Sequence, residues 1–144
     1  QIRGSYYSLL NSDDDAYIAA RAIQFFAPGI PQVYYVTLLA GENDEANIAK
    51  TGDGREINRH NFTVEEIEES LEKPVVQRLL KLIRFRNEYE AFNGEFKVND
   101  TATDQVHLSW EKDDKFCSLF IDLTTNKTVI KYKDDDGQLV EYHV

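Results

Sequence analysis

With 144 residues, 42% of them hydrophobic and 12% aromatic, the chain has the composition of a packed globule and room for one domain or parts of two. A formal net charge of −10 argues against nucleic acid, which needs a basic face; the acidic excess otherwise names no partner and reads as solvated surface. No apolar run approaches the ~18 residues that span a bilayer, so no membrane is expected as a partner. The start, QIRGSYYSLL, has no signal-peptide pattern. The single cysteine, Cys117, lies in an apolar run with no histidine near it in sequence. It reads as a buried inert thiol, in keeping with a reducing, cytoplasmic setting. The first residue is Gln1 rather than Met, so a fragment or a processed product is expected.

In chain order, Ser5–Leu10 leads into the acidic stretch Asn11–Asp15, where Ser12 or Asp13 is a candidate N-cap. The spacing of Ile18, Ala19, Ala22, Ile23 and Phe26 predicts a helix over Asp14–Phe26, ended by Pro28-Gly29. Gln32–Val36 is short, β-branched and aromatic, and apolar on both faces, which predicts a strand covered on both sides, as in a parallel sheet. Tyr34 and Tyr35 are then wall and core of that sheet. Thr37–Glu72 is too long for an ordinary connector and is expected to be functional or to carry short helices of its own. Within it, Asn43–Lys50 suits a turn or two of helix, and Thr63-Val64-Glu65-Glu66 is a capping box opening a helix to about Leu71. Pro74 suits the first turn of the clearest helix, about Val75–Glu90, with Val76, Leu79, Leu80, Ile83 and Tyr89 on one side. Arg78, Lys81, Arg84 and Arg86 occupy much of its other face.

At Asn93-Gly94 the pattern changes, and a domain boundary is expected at about residues 90–94. Five β-rich segments follow, Glu95–Val98, Gln105–Glu111, Phe116–Leu123, Thr128–Lys133 and Leu139–Val144, separated by turn-forming runs. They predict a small antiparallel sheet with one face packed on something.

The chemistry concentrates in GREINRH, Gly54–His60, where Arg55, Asn58, Arg59 and His60 fall close together behind Gly52 and Gly54. An arginine fork can hold adjacent hydroxyls or an anion, and glycines let a loop approach a ligand. By itself the cluster also fits a loop held by internal ion pairs with Asp53 or Glu56, and His60 fits a structural role. There is no phosphate loop, no nucleophile elbow, no Cys/His spacing for a metal, and no cofactor motif. Residue chemistry alone names no reaction.

The run YIAARAIQFFAPGIPQVYYVTLLAGEND, followed by GREINRH and PVVQRLLKLIRFRNE, resembles the sucrose phosphorylases of glycoside hydrolase family 13. The likeness is dense from about Tyr6 to Gly94 and weaker beyond. It implies an α/β plus all-β chain: residues 1–92 as the last αβα part of a (β/α)8 TIM barrel and 93–144 as a C-terminal β domain. On that basis Asp14–Phe26 is the seventh barrel helix, Gln32–Val36 the eighth strand and Val75–Glu90 the eighth helix. A whole barrel takes about 250 residues, so only its end is expected here. The resemblance further implies retaining glucosyl transfer from sucrose to phosphate through two carboxylates, with a third supporting the transition state. All three lie on earlier barrel strands, so no residue of this chain is catalytic, and neither a metal nor a cofactor is expected.

Carried over residue by residue, Arg55 resembles the arginine that holds the glucosyl hydroxyls, and Gln1 is a weaker candidate for a fructose or phosphate contact. Asn58, Arg59 and His60 position the loop. Related phosphorylases acting on sucrose 6′-phosphate, glucosylglycerol or glucosylglycerate are the nearest alternatives. A non-catalytic β module for binding or assembly is an alternative of another class. An isolated chain of this kind is expected to associate, since its barrel strand has no partner within it.

Overall fold

The structure, a computed structural model, describes residues 3–144. Among the described residues six α-helices precede a five-stranded sheet: α1 (Tyr6–Leu9), α2 (Asp14–Phe26), α3 (Tyr35–Leu38), α4 (Glu45–Thr51), α5 (Val64–Leu71) and α6 (Pro74–Glu88), then β1 (Glu95–Val98), β2 (Gln105–Lys112), β3 (Lys115–Asp122), β4 (Lys127–Lys133) and β5 (Leu139–Tyr142). The predicted helices and β-rich segments stand within a residue or two of these bounds, Leu139–Val144 excepted in its last two residues.

Local chemistry accounts for the helix ends. Asp13, rather than Ser12, caps α2 by accepting from the Ala16 amide at 2.7 Å, and Asp14 and Asp15 fill the dipole-favoured first turn. At the other end Ala27 has ψ 149°, the extended conformation that a following proline favours. Pro74 opens α6 where its missing N–H costs nothing.

The sheet is an antiparallel meander in the order β1-β2-β3-β4-β5, with four-residue strands at both edges. One face buries Leu108, Trp110, Cys117, Leu119, Ile121 and Ile130, and this face joins α2 and α6 in one hydrophobic cluster. Phe26 stacks on Phe85 at 6.4 Å and meets Phe92 edge-on at 5.0 Å. Three polar tips pin sheet to helices. The Trp110 indole donates to the Phe26 carbonyl at 2.7 Å, satisfying an acceptor left over at the end of α2. Tyr89 donates to the Phe116 and Lys133 carbonyls, and Tyr142 to that of Lys81. Burial pushes the Cys117 thiol up to about 12, so it stays protonated and inert.

Three expectations need correcting. Gln32–Val36 is not a strand. Tyr34 is extended, with φ −81° and ψ 145°, but among the described residues no strand pairs with this segment, and Tyr35 and Val36 already belong to α3. A lone extended segment has no ladder to join. For the same reason Tyr34 and Tyr35 are not sheet wall and core: they are 44% and 41% exposed. On α6 the fully buried positions are Val75, Val76, Leu79, Leu82 and Phe85, while Leu80, Ile83 and Tyr89 pack at the margin. Arg86, on the other side of α6, is half-buried. Its guanidinium lies 4.4 Å from the Phe92 ring centroid and donates to the Gly29 carbonyl.

Candidate sugar-binding site

The loop between α3 and α5 is built by side chains capping backbone. Asp44 caps α4 by accepting from the Asn47 amide at 2.8 Å, and α4 stops at Gly52, whose φ of 73° is costly for any other residue. Asp53 accepts from the Arg55 amide at 2.8 Å and starts a 3-10 turn over Gly54–Asn58. Thr63 and Glu66 close the capping box of α5. The turn is held from behind. The Asp44 amide donates to the Ile57 carbonyl at 2.9 Å, and the Asn47 side chain donates to Glu56 Oε2 at 3.1 Å.

Arg55, Asn58 and Arg59 come together on one open cavity of about 420 Å³, with Arg3, Gly4, Tyr34 and Ile57 completing its wall. Among the described residues the Arg55 guanidinium forms no ion pair. Asp53 takes only its backbone amide, and Glu56 pairs instead with Arg59 at 3.0 Å, which holds the Arg59 guanidinium more firmly protonated. The Asn58 Oδ1 is buried without a hydrogen-bond partner among the described residues. The cavity thus offers the unpaired donors of the Arg55 guanidinium, a planar fork suited to the adjacent hydroxyls of a sugar.

His60 lies on the other side of the turn, against a second cavity of about 570 Å³ that also touches Asp44, Phe62 and Lys73. Its Nδ1 is 2.6 Å from Asp44 Oδ2 and its Nε2 3.3 Å from Glu66 Oε1. The Asp44 hydrogen bond, with help from Glu66, raises the histidine above its ordinary value; the His60 bond lowers the Asp44 carboxyl, and the Thr63 amide, then His60, lowers that of Glu66. The ring also meets Phe62 edge-on at 4.6 Å. Gln1 lies outside the described residues. Arg3, Tyr34 and Asn47 carried no local signal in the sequence. For Arg3 the one available hint is Gly54, where a Cβ would run into the Arg3 guanidinium.

No family model matches the chain. It is nonetheless similar to phosphorylases: to a sucrose 6(F)-phosphate phosphorylase from end to end, and to two sucrose phosphorylases over 90% and 95% of its length. It is 67% identical over 144 residues to the sucrose 6(F)-phosphate phosphorylase of Thermoanaerobacterium thermosaccharolyticum, covering 100% of this chain and 30% of the relative. It is 51% identical over 134 residues to the glucosylglycerol phosphorylase of Marinobacter adhaerens, covering 93% of this chain and 28% of the relative. Against the sucrose phosphorylase of Agrobacterium vitis identity is 51% over 130 residues, covering 90% of this chain and 27% of the relative. The crystal structure of sucrose 6F-phosphate phosphorylase from Thermoanaerobacter thermosaccharolyticum superposes with a TM-score of 0.98 at 67% identity, covering 100% of this chain and 29% of that one. The chain spans about 30% of the length of these relatives.

Proposed function

We propose that this chain is the C-terminal part of a retaining glucoside phosphorylase of glycoside hydrolase family 13, with residues 1–92 ending the (β/α)8 barrel and 93–144 forming a C-terminal β domain. The segment before α3, extended at Tyr34 and unpaired among the described residues, supports the first assignment. In the reaction implied by the resemblance, an aspartate carboxylate attacks the anomeric carbon of sucrose while a glutamic acid protonates the departing fructose oxygen. A phosphate oxygen then displaces the aspartate, giving glucose 1-phosphate with retained configuration. Those carboxylates belong to the preceding part of the enzyme, in a cytoplasmic, reducing setting, so the 144-residue chain alone is inactive. No cofactor takes part.

Arg55 holds the glucosyl hydroxyls, and the observation that carries this is its unpaired guanidinium on the 420 Å³ cavity. Asn58, Arg59 and His60 fix the loop around it. With the remainder of the barrel restored, Arg55→Ala is expected to lower kcat/KM for the glucosyl donor by about 10- to 100-fold, the worth of one or two charge-assisted hydrogen bonds. Unchanged kcat/KM would remove Arg55 from the site.

One observation favours a phosphorylated donor, sucrose 6F-phosphate, as a second reading. The relative with 67% identity carries that name, and three arginines, Arg3, Arg55 and Arg59, line the same cavity in a chain of net charge −10. A panel of sucrose, sucrose 6F-phosphate, glucosylglycerol and glucosylglycerate, assayed on the whole enzyme, separates the readings by relative kcat/KM.

A further inference from the structure

Arg21, on α2, is a charged side chain that its own surroundings do not satisfy. It is 4% exposed, and neither Nε nor Nη2 has a hydrogen-bond partner among the described residues. Its guanidinium carbon lies 5.3 Å from the ring centroid of Tyr6, 5.7 Å from Phe25 and 5.9 Å from Tyr17. Such faces attract a cation but accept no hydrogen bond along its edge. A buried guanidinium without an acceptor is costly, and proteins pair such groups.

The position of Arg21 on the helix says where the acceptor must come from. Tyr17, Arg21 and Gln24 lie four and three residues apart, on one stripe of α2. Tyr17 donates to the Thr37 carbonyl and Gln24 to the Gln32 carbonyl, so the stripe runs along the extended segment and α3. Arg21 is midway along that contact. Among the described residues, the amides of Ile30, Gln32, Val33 and Tyr34 donate no hydrogen bond. Ile30 is 97% exposed. The stripe that carries the orphan cation therefore meets open backbone, and a strand laid beside 30–34 would run along that stripe, toward the Arg21 Nη1, which is not among the sealed atoms.

We infer that Arg21 is one half of an ion pair across this joint, and that the other half is an aspartate or glutamate from the preceding part of the barrel. This rests on the reading of the chain as the end of a longer barrel, and adds the acid that the barrel must bring. Arg86 makes a useful contrast. It too has a buried Nε without a partner, but its Nη2 donates to the Gly29 carbonyl and its plane lies over Phe92 and Trp110. It needs no outside acid.

The test uses Arg21→Met, which keeps the length of the side chain and removes the charge. It is made in the 144-residue chain and in the full-length Thermoanaerobacterium phosphorylase carrying this chain in place of its matching segment. In the isolated chain the substitution relieves an unpaired buried charge, and the thermal midpoint is expected to rise by about 2–4 °C. In the full-length protein it strands the partner carboxylate, and the midpoint is expected to fall, with Arg21→Lys regaining part of the loss. A rise in both proteins overturns the ion pair while leaving the phosphorylase reading intact. A full-length graft that folds yet makes no glucose 1-phosphate overturns that reading and the pair with it. A crystal structure of the graft decides the matter even if the isolated chain does not fold: a carboxylate within 4 Å of the Arg21 guanidinium supports the pair, and its absence overturns it.

Discussion

In the sheet every strand has a neighbour: β1 through β5 pair in sequence order, the two edges are only four residues long, and the tips of Trp110, Tyr89 and Tyr142 end on backbone carbonyls of the chain itself. The segment before α3 is the opposite case. It is extended, its amides are unpaired among the described residues, Ile30 stands in solvent, and Arg21 behind it is buried without an acceptor. One region pairs its strands and packs one face within the chain; the other leaves a buried cation and a run of amides unpaired among the described residues. The contrast is between a sheet paired strand to strand and packed on α2 and α6, and a segment whose backbone is unpaired among the described residues.

The largest effect that sharpens the contrast is in the cores. Leu119 is fully buried at the centre of the sheet, and Leu119→Ala is expected to cost about 3 kcal/mol in urea-denaturation stability. Ile30→Ala in the same chain is expected to change stability by less than about 0.5 kcal/mol, since Ile30 is 97% exposed. If Ile30→Ala proved as costly as Leu119→Ala, the segment would already be packed and the contrast would fail.

A smaller effect belongs to His60, which braces the turn carrying Arg55. Its pKa is raised above 6.5 by Asp44, so its contribution is fully present below 6.5 and is lost as pH rises through the raised value. Asp44 and Glu66 are lowered below 3.8 and 4.5, so theirs is present above those values and is lost as pH falls through the lowered ones. The brace is tightest between about pH 4.5 and 6.5. Amide exchange over residues 54–60, corrected for intrinsic rates, is expected to be faster at pH 8.5 than at pH 5.5. His60→Gln should remove the difference; a difference that persists would give the loop another source of pH dependence.

How much of this was legible follows from how local each signal is. The acid-led, proline-stopped pattern of Asp14–Phe26 and the turn-separated β runs after Gly94 specify their elements through neighbours in sequence, and both appear as read. The capping box at Thr63–Glu66 is equally local. The segment 32–36 failed because a strand is a statement about partners, and apolar residues on both faces cannot supply them. The site divides the same way. GREINRH was visible as a cluster, but Arg3 reaches the cavity from far back in the chain, and Asn47 and Asp44 hold the Glu56 and His60 side chains of a turn whose shape only the fold reveals. Leu82 and Phe85 show a different failure: the apolar stripe on α6 is wide, and which part of it faces the sheet depends on where α2 and the aromatic tips lie.

The most direct measurement is glucose 1-phosphate formation from sucrose, or sucrose 6F-phosphate, and inorganic phosphate. The purified 144-residue chain is assayed beside the full-length relative carrying it as a graft. The expected result is no product from the chain alone and turnover by the graft. Phosphorolysis by the chain alone, or a folded graft without activity, would contradict its place at the end of a phosphorylase barrel.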